Sequence, residues 1–397
     1  VWVTVSDDSG WSEVEWFVDG EKEGGGQFPV SPSLDIMFWW DTRFFSKGSH
    51  SLAVRATDGD NKVGTDVIVV DVSNATPPPT RPKLAVTRHE AFRHGHTFAI
   101  ELTVENKGET TASGIKIVDS LSGFQPISRT FNGVVYETQF DSSKMQADVV
   151  IEDPFSLSPG AARKYTLAAV PVLIHDRPPA PSIGATIDLS YAGPGSVKYQ
   201  ESLEFTISDT TATAGSAPSE TLATARVNAL KEADYLIVTS PNRLHSLHPF
   251  QAAEINAVLS DMAQLAFDKN GVLGYMRAPD RNVFRGLIQP SGHWANQLKS
   301  SFSRTSGIGG YVLIVGETDI FPAWDLPVKP PTCTWCPSIV EDSDHNYADT
   351  FDEWPPDIVV GRIIGEDPGD LSVALQASTT GSGIERSDAL LVSGTGN

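Results

Sequence analysis

Tyr311-Val-Leu-Ile-Val315 is followed by Gly316-Glu-Thr-Asp-Ile-Phe-Pro322, by an acidic loop, Glu341-Asp-Ser-Asp-His-Asn-Tyr-Ala-Asp349, and by a second apolar run, Asp357-Ile-Val-Val360, that closes on Gly361-Arg362. Both apolar runs are short, continuous and rich in β-branched residues. That composition suits strands buried on both faces of a parallel sheet covered by helices. In open sheets of this kind ligand chemistry gathers at the carboxyl ends of the strands, which here means residues 316–322 and 361–365.

The flanking sequence extends the pattern. Tyr235-Leu-Ile-Val-Thr-Ser240 reads as a strand ending at a Ser-Pro-Asn turn. Residues 249–267 read as a helix, with Phe250, Ala253, Ile255, Val258, Leu259, Met262 and Leu265 mostly three or four apart. Asn270-Gly271 closes it, and Val272, Leu273 and Tyr275 mark a short strand. Residues 220–231 have helical spacing through Leu222, Ala225, Val227 and Leu230, and Gln297, Leu298 and Phe302 belong to a further helix candidate. Downstream lie a helix candidate over 370–378 and a strand over 389–392. Strand alternating with helix is an α/β signature.

The ordered set of an apolar strand with Gly316, Asp319-Ile-Phe-Pro322, Ser343-Asp344, Tyr347 and the strand ending in Gly361-Arg362 resembles the gingipain-like family of cysteine peptidases. The resemblance covers residues 226–397, the first half of such a peptidase domain. It implies a caspase- or gingipain-like, mostly parallel sheet and an endopeptidase acting on protein or peptide substrates through a Cys-His dyad. In that family the His follows a later strand, commonly within Gly-His-Gly, and the Cys follows the next strand. Neither motif occurs here, so no catalytic residue is assigned within these residues; both are expected beyond Asn397.

Upstream the periodicity is two. In residues 1–74, Val3 and Val5, then Val14, Trp16 and Val18, then Leu52, Val54 and Ala56, then Val67 and Val69 alternate between turns such as Asp19-Gly20 and Asp58-Gly-Asp-Asn61. This predicts an all-β sandwich, and the segment resembles bacterial immunoglobulin-like modules attached to secreted enzymes. Residues 75–82, with three consecutive prolines, are a semi-rigid linker. Residues 83–208 form a second sandwich, patterned by Phe98, Ile100, Leu102 and Val104 and resembling adhesion-related cell-surface repeats through 102–108. Residues 209–225, rich in Thr, Ala and Ser, read as a second linker or the run-up to a helix. The expected fold is therefore two Ig-like sandwiches followed by an α/β domain.

Composition narrows the function. The chain has 397 residues, 50 acidic and 29 basic side chains, and a formal net charge of -21. That balance argues against a nucleic-acid partner. No apolar stretch is long enough to span a bilayer. The sequence begins at Val1 without Met and stops just after a strand signal, so it reads as a piece of a longer, extracellular or cell-surface protein of bacterial or archaeal type, whose β modules could meet cell-surface components.

Several constellations invite chemistry. Residues 341–370 carry ten acidic residues against Arg362. Asp342, Asp344, Asp349 and Asp352 are candidate calcium ligands, because crowded carboxylates repel unless a cation or water screens them. The alternative is a solvated acidic loop in which Arg362 pairs with one of them. Tyr347 stands where a helix-loop-helix calcium site needs Gly, which argues against that motif. Cys333 and Cys336 sit in a proline-locked loop without the strand-to-helix setting of a reactive thiol, and read as a loop disulfide or two free thiols. Trp39, Trp40, Phe44 and Phe45 could stack a sugar or simply pack the core. Asp7, Asp8, Asp58 and Asp60 read as solvated turn acids, or as holders of one calcium ion between two turns. His94 and His96 lack a third metal ligand and read as exposed turn residues. His245 and His248 read as capping and turn residues at a helix start.

Overall fold

In the computed structural model, Asp19 and Gly20 both take positive φ, 53° and 85°, as a two-residue hairpin turn matched to strand twist requires. The structure describes residues 2–6, 11–29, 33–38, 40–42, 45–60, 62–73, 81–175, 184–193, 198–206, 210–213, 220–289, 292–294, 297–298, 310–328, 339–348 and 358–380. Cys333, Cys336, Asp349, Asp352, Asp7, Asp8, Trp39, Phe44, Phe302 and the strand expected over 389–392 lie outside them. The described residues are mostly β-strand.

The first module contains β1 (Trp2–Ser6), β2 (Trp11–Val18), β3 (Glu21–Pro29), β4 (Ser33–Met37), β5 (Gly48–Asp58) and β6 (Val63–Val72). An antiparallel sheet in the order β3-β2-β5-β6 faces the β1-β4 pair. Val5, Val14, Ile36 and Phe38 form the core between them, with Trp16 and Val54 packed alongside. Trp16 lies so close to the Gly24 backbone that a Cβ there would meet the indole at 2.2 Å; only glycine fits beneath that ring.

The second module runs through β7 (Leu84–His94), β8 (Thr97–Asn106), β9 (Ser113–Leu121), β10 (Phe124–Pro126), β11 (Arg129–Phe131), β12 (Val134–Asp141), β13 (Gln146–Asp153), β14 (Ala162–Ile174), β15 (Gly184–Ala192) and β16 (Lys198–Thr206). One layer is the sheet β11-β12-β13-β9-β15-β16; β7, β8 and β14 form the other. Asn106, wholly buried, pins the corner: its amide donates to the Thr110 and Leu157 carbonyls and its Oδ1 accepts from Lys83 and Gly108. The segment read as a linker contributes β17 (Thr210–Thr213), parallel to β7, and β18 (Glu220–Thr221). Helix α1 (Leu222–Glu232) follows, and its Leu222, Ala225 and Ala229 enter the sandwich core.

The remaining elements are β19 (Tyr235–Thr239), α2 (Pro241–Leu247), α3 (Ala252–Asp268), β20 (Gly271–Tyr275), α4 (Arg281–Ile288), β21 (Tyr311–Val315), β22 (Trp324–Val328), β23 (Ile339–Ser343), α5 (His345–Ala348), β24 (Val359–Ile363) and α6 (Pro368–Thr380). β20, β19, β21 and β24 are neighbours in that order and all parallel. Successive side chains serve opposite faces. Ile237, Leu273 and Leu313 meet α3 and α6, whereas Leu236, Val238, Val272, Val312 and Ile314 meet Phe284, Ile288 and Trp294. Both faces are covered, as the apolar runs predict.

The sandwich and the parallel strands share one sheet. β14 pairs antiparallel with β8 over 162–169 and parallel with β20 over 172–174. Side chains lock the junction. Tyr275 Oη donates to Gln125 Oε1 at 2.9 Å, Phe140 N to Asn256 Oδ1 at 3.0 Å, and Ser128 N to Ser260 Oγ at 2.8 Å. Buried Arg226 donates to the Gly123 and Val172 carbonyls, and its desolvation lowers its pKa to about 10.

Two local expectations need correction. The helix expected from 249 begins at Ala252, and Phe250 is 99% exposed rather than core. Gln251 is its N-cap residue; Pro249 and Phe250 form the preceding turn. His96 is not an exposed turn histidine. Its Nε2–H points at the Ala266 and Phe267 carbonyls, 3.2 Å each, at the end of α3, where helix carbonyls lack intrahelical partners.

Candidate functional site at the carboxyl ends of the parallel strands

Gly316 ends β21 with φ 120°, and a Cβ there would meet Ile320 Cγ2 at 2.7 Å. Only glycine allows this turn at that contact. Ile320 and Phe321 then donate their backbone N–H groups to the Glu317 carbonyl. Gly316 N reaches across to Ile363 O at 2.9 Å, so the ends of β21 and β24 stay in register.

Arg362 organises the site. Its Nε and Nη2 donate to Asp344 Oδ2 and Oδ1 at 2.8 and 2.6 Å, while Nη1 donates to the Gly316 and Phe321 carbonyls at 2.9 and 2.7 Å. One guanidinium thus joins the end of β24, the turn after β21 and the crossover between them. The planar fork makes that possible; a lysine offers no equivalent geometry. The pair is mostly enclosed, with side chains 11% and 22% exposed. The sequence expectation that Arg362 engages a crossover carboxylate is met, with Asp344 as the partner.

Tyr347 packs beneath the clamp. It is fully buried, donates through Oη to the Pro322 carbonyl, and makes edge contacts with Phe284, Phe321 and Trp324. Burial, with the nearby Asp344 charge, pushes its phenol well above its ordinary pKa. Phe321, within the Asp319–Pro322 motif, is wholly buried in this cluster. Arg281 donates to the Ala323 carbonyl at 3.0 Å and lies 5.5 Å from the Trp324 ring. Thr239 Oγ1 donates to Val315 O at 2.7 Å, tying the ends of β19 and β21.

Among the candidate calcium ligands, Asp344 already has both oxygens engaged by Arg362, and Asp342 lies on β23 opposite Asp325. Among the described residues no group of three or more His, Cys, Asp or Glu side chains is placed to hold a metal. Asp58 accepts from the backbone N–H groups of Asp60 and Lys62, as a turn acid does. His248 is the C-cap residue of α2, while His245 stacks on Phe140 with centroids 6.4 Å apart. No described helix is long and apolar enough to cross a membrane.

Sequence reasoning missed two features. His89 Nε2 and Asp119 Oδ2 lie 3.2 Å apart between the sandwich layers, with side chains 1% and 0% exposed. An aspartate in register with Ile115, Ile117 and Leu121 is the signal that could have revealed it. Asn132-Gly133, with φ 51° and 78°, forms the β11–β12 turn, and that dipeptide is itself a hairpin signal.

No protein-family model matches the chain, and no curated protein does. Among solved structures, a protein of immunoglobulin-like fold from Nocardia farcinica aligns with 34% of this chain and 95% of its own at 19% identity, TM-score 0.23. BcpA, the major pilin subunit of Bacillus cereus, aligns with 49% of this chain and 63% of its own at 7% identity, TM-score 0.22. A cohesin module from Clostridium perfringens aligns with 32% of this chain and 97% of its own at 8% identity, TM-score 0.21. Likenesses this low say nothing about activity.

Proposed function

We propose that residues 226–397 are the opening half of a gingipain-like cysteine endopeptidase domain, carried behind two β-sandwich modules on an extracellular or cell-surface protein. The observation that supports this most strongly is the parallel pairing of β21 with β24, with Arg362 holding Asp344 and the turn after β21 at their carboxyl ends. The motif residues that prompted the resemblance, Gly316, Asp344, Tyr347 and Arg362, converge on that clamp. The thiol and imidazole would come from later strands, so residues 1–397 alone would bind no peptide covalently. Within this reading Asp342, Asp349 and Asp352, candidates together with Asp344 in the sequence, would hold a calcium ion. A calcium-dependent rise in unfolding temperature, reversed by chelation, tests that part; no shift overturns it.

The codons that follow Asn397 in the gene test the main proposal. It requires Gly-His-Gly after one strand and a Cys after the next. Their absence would favour the alternative, a cell-surface adhesion or scaffold protein with a non-catalytic peptidase-like domain.

A further inference from the structure

The first module carries a partly open pocket of about 230 Å³ between its β2–β5 strands and the segment after β4, and the peptidase reading leaves it without a role. Its walls are aromatic. Trp16 and Phe38 lie with ring centroids 4.3 Å apart, and Trp40 and Phe45 meet edge-on at 5.0 Å. Its polar lining carries both signs of charge: Glu23 and Asp41 against Arg81. Arg81 Nη2 stands 3.7 Å from Glu23 Oε1, longer than a hydrogen bond, so both groups keep capacity for a third partner. Burial pushes the Glu23 carboxyl above its ordinary pKa. Arg81 belongs to the linker, and Lys83, at the start of the second module, pairs with Glu21 at 2.8 Å, so the seam between the modules runs beside the cavity. Ligand sites favour such seams between modules.

The lining selects among ligand classes. An organic cation would meet Arg81, and an anion would meet Glu23 and Asp41. A wholly apolar guest would strip water from Glu23 and Arg81 without replacing the lost hydrogen bonds, which is costly. A neutral ring with one C–H face and a hydroxyl edge satisfies both halves of the lining. The volume admits a single ring. We infer that this cavity binds one hexopyranose unit of a carbohydrate, its C–H face on the Trp40 wall and its hydroxyls on Glu23 and Arg81.

Calorimetric titration and tryptophan fluorescence of residues 1–397 with methyl hexopyranosides, N-acetylhexosamines and their short oligomers test this. We expect saturable millimolar or tighter binding of at least one sugar, weakened about tenfold or more by Trp40→Ala and by Glu23→Gln. Glu23→Gln keeps the side-chain shape and carries the test if Trp40→Ala loses its far-ultraviolet dichroism. The inference is overturned if no sugar saturates the protein, if Glu23→Gln binds as tightly as the parent, or if tetramethylammonium or N-acetyltryptophanamide saturates the cavity instead.

Discussion

Replacing Arg362 by Met removes the fork while keeping an unbranched apolar stem. Asp344 then loses both charge-assisted partners, and the Gly316 and Phe321 carbonyls lose their shared donor. Breaking one side of a fully buried pair costs about 3–5 kcal/mol, and an unmet buried polar group about 1–3 kcal/mol. Asp344 is 22% exposed, so water recovers part of that loss, leaving about 3 kcal/mol as the cost of local opening. Hydrogen exchange is the fitting assay, because a chain with several modules need not unfold in one step. The amides of Gly316, which bonds Ile363 O, and Phe321, which bonds Glu317 O, should lose about two orders of magnitude of protection. Asp344→Asn should lose less, since an amide oxygen still accepts, and the double variant should fall short of the sum of the singles. Protection changed by only a few-fold in Arg362→Met, or strict additivity, would refute the role given to the clamp.

Other outcomes follow from the packing and charges. His89→Leu or Asp119→Leu alone should destabilise by about 3–5 kcal/mol in denaturant titrations, while the double substitution recovers most of that loss; additive losses would contradict the pairing. Residues 226–397 expressed alone should aggregate, because β20 loses its β14 neighbour and the core shared with Val170, Val172 and Phe140 is opened, whereas residues 83–397 should be soluble and fold with α3 protected from exchange. Hydrogen bonds from Ser143, then Lys144, hold the Asp141 carboxyl down from 3.8 to about 2. Its contribution to stability is therefore complete above pH 3.8 and lost as the pH falls toward 2; Asp141→Asn should flatten that part of the unfolding-temperature profile.

The strands were legible wherever their period and turn chemistry agreed. Tyr311–Val315 and Tyr235–Thr239 announce themselves by apolar continuity, and Asp19-Gly20 by a dipeptide that tolerates positive φ. The Arg362 clamp was legible in outline because a single base lies among many acids. Its four hydrogen bonds were not, since three sequence-distant segments must meet first. The course of β14 was equally hidden. Its alternation reads as sandwich over 165–167, and nothing in Val170-Pro-Val-Leu-Ile174 distinguishes a sandwich edge from a parallel neighbour for β20. Local pattern specifies that a strand forms; its partner depends on long-range packing. The same limit hid the docking of α1 into the sandwich, because its amphipathic face does not name the surface it covers.

Thiol-dependent proteolysis is the most direct measurement of whether residues 226–397 begin a peptidase. The protein extended through whatever the gene encodes after Asn397 should cleave an unfolded protein substrate and lose that activity on iodoacetamide treatment, while residues 1–397 should cleave nothing. Cleavage by residues 1–397, or an extended protein with no thiol-dependent activity, would contradict the assignment.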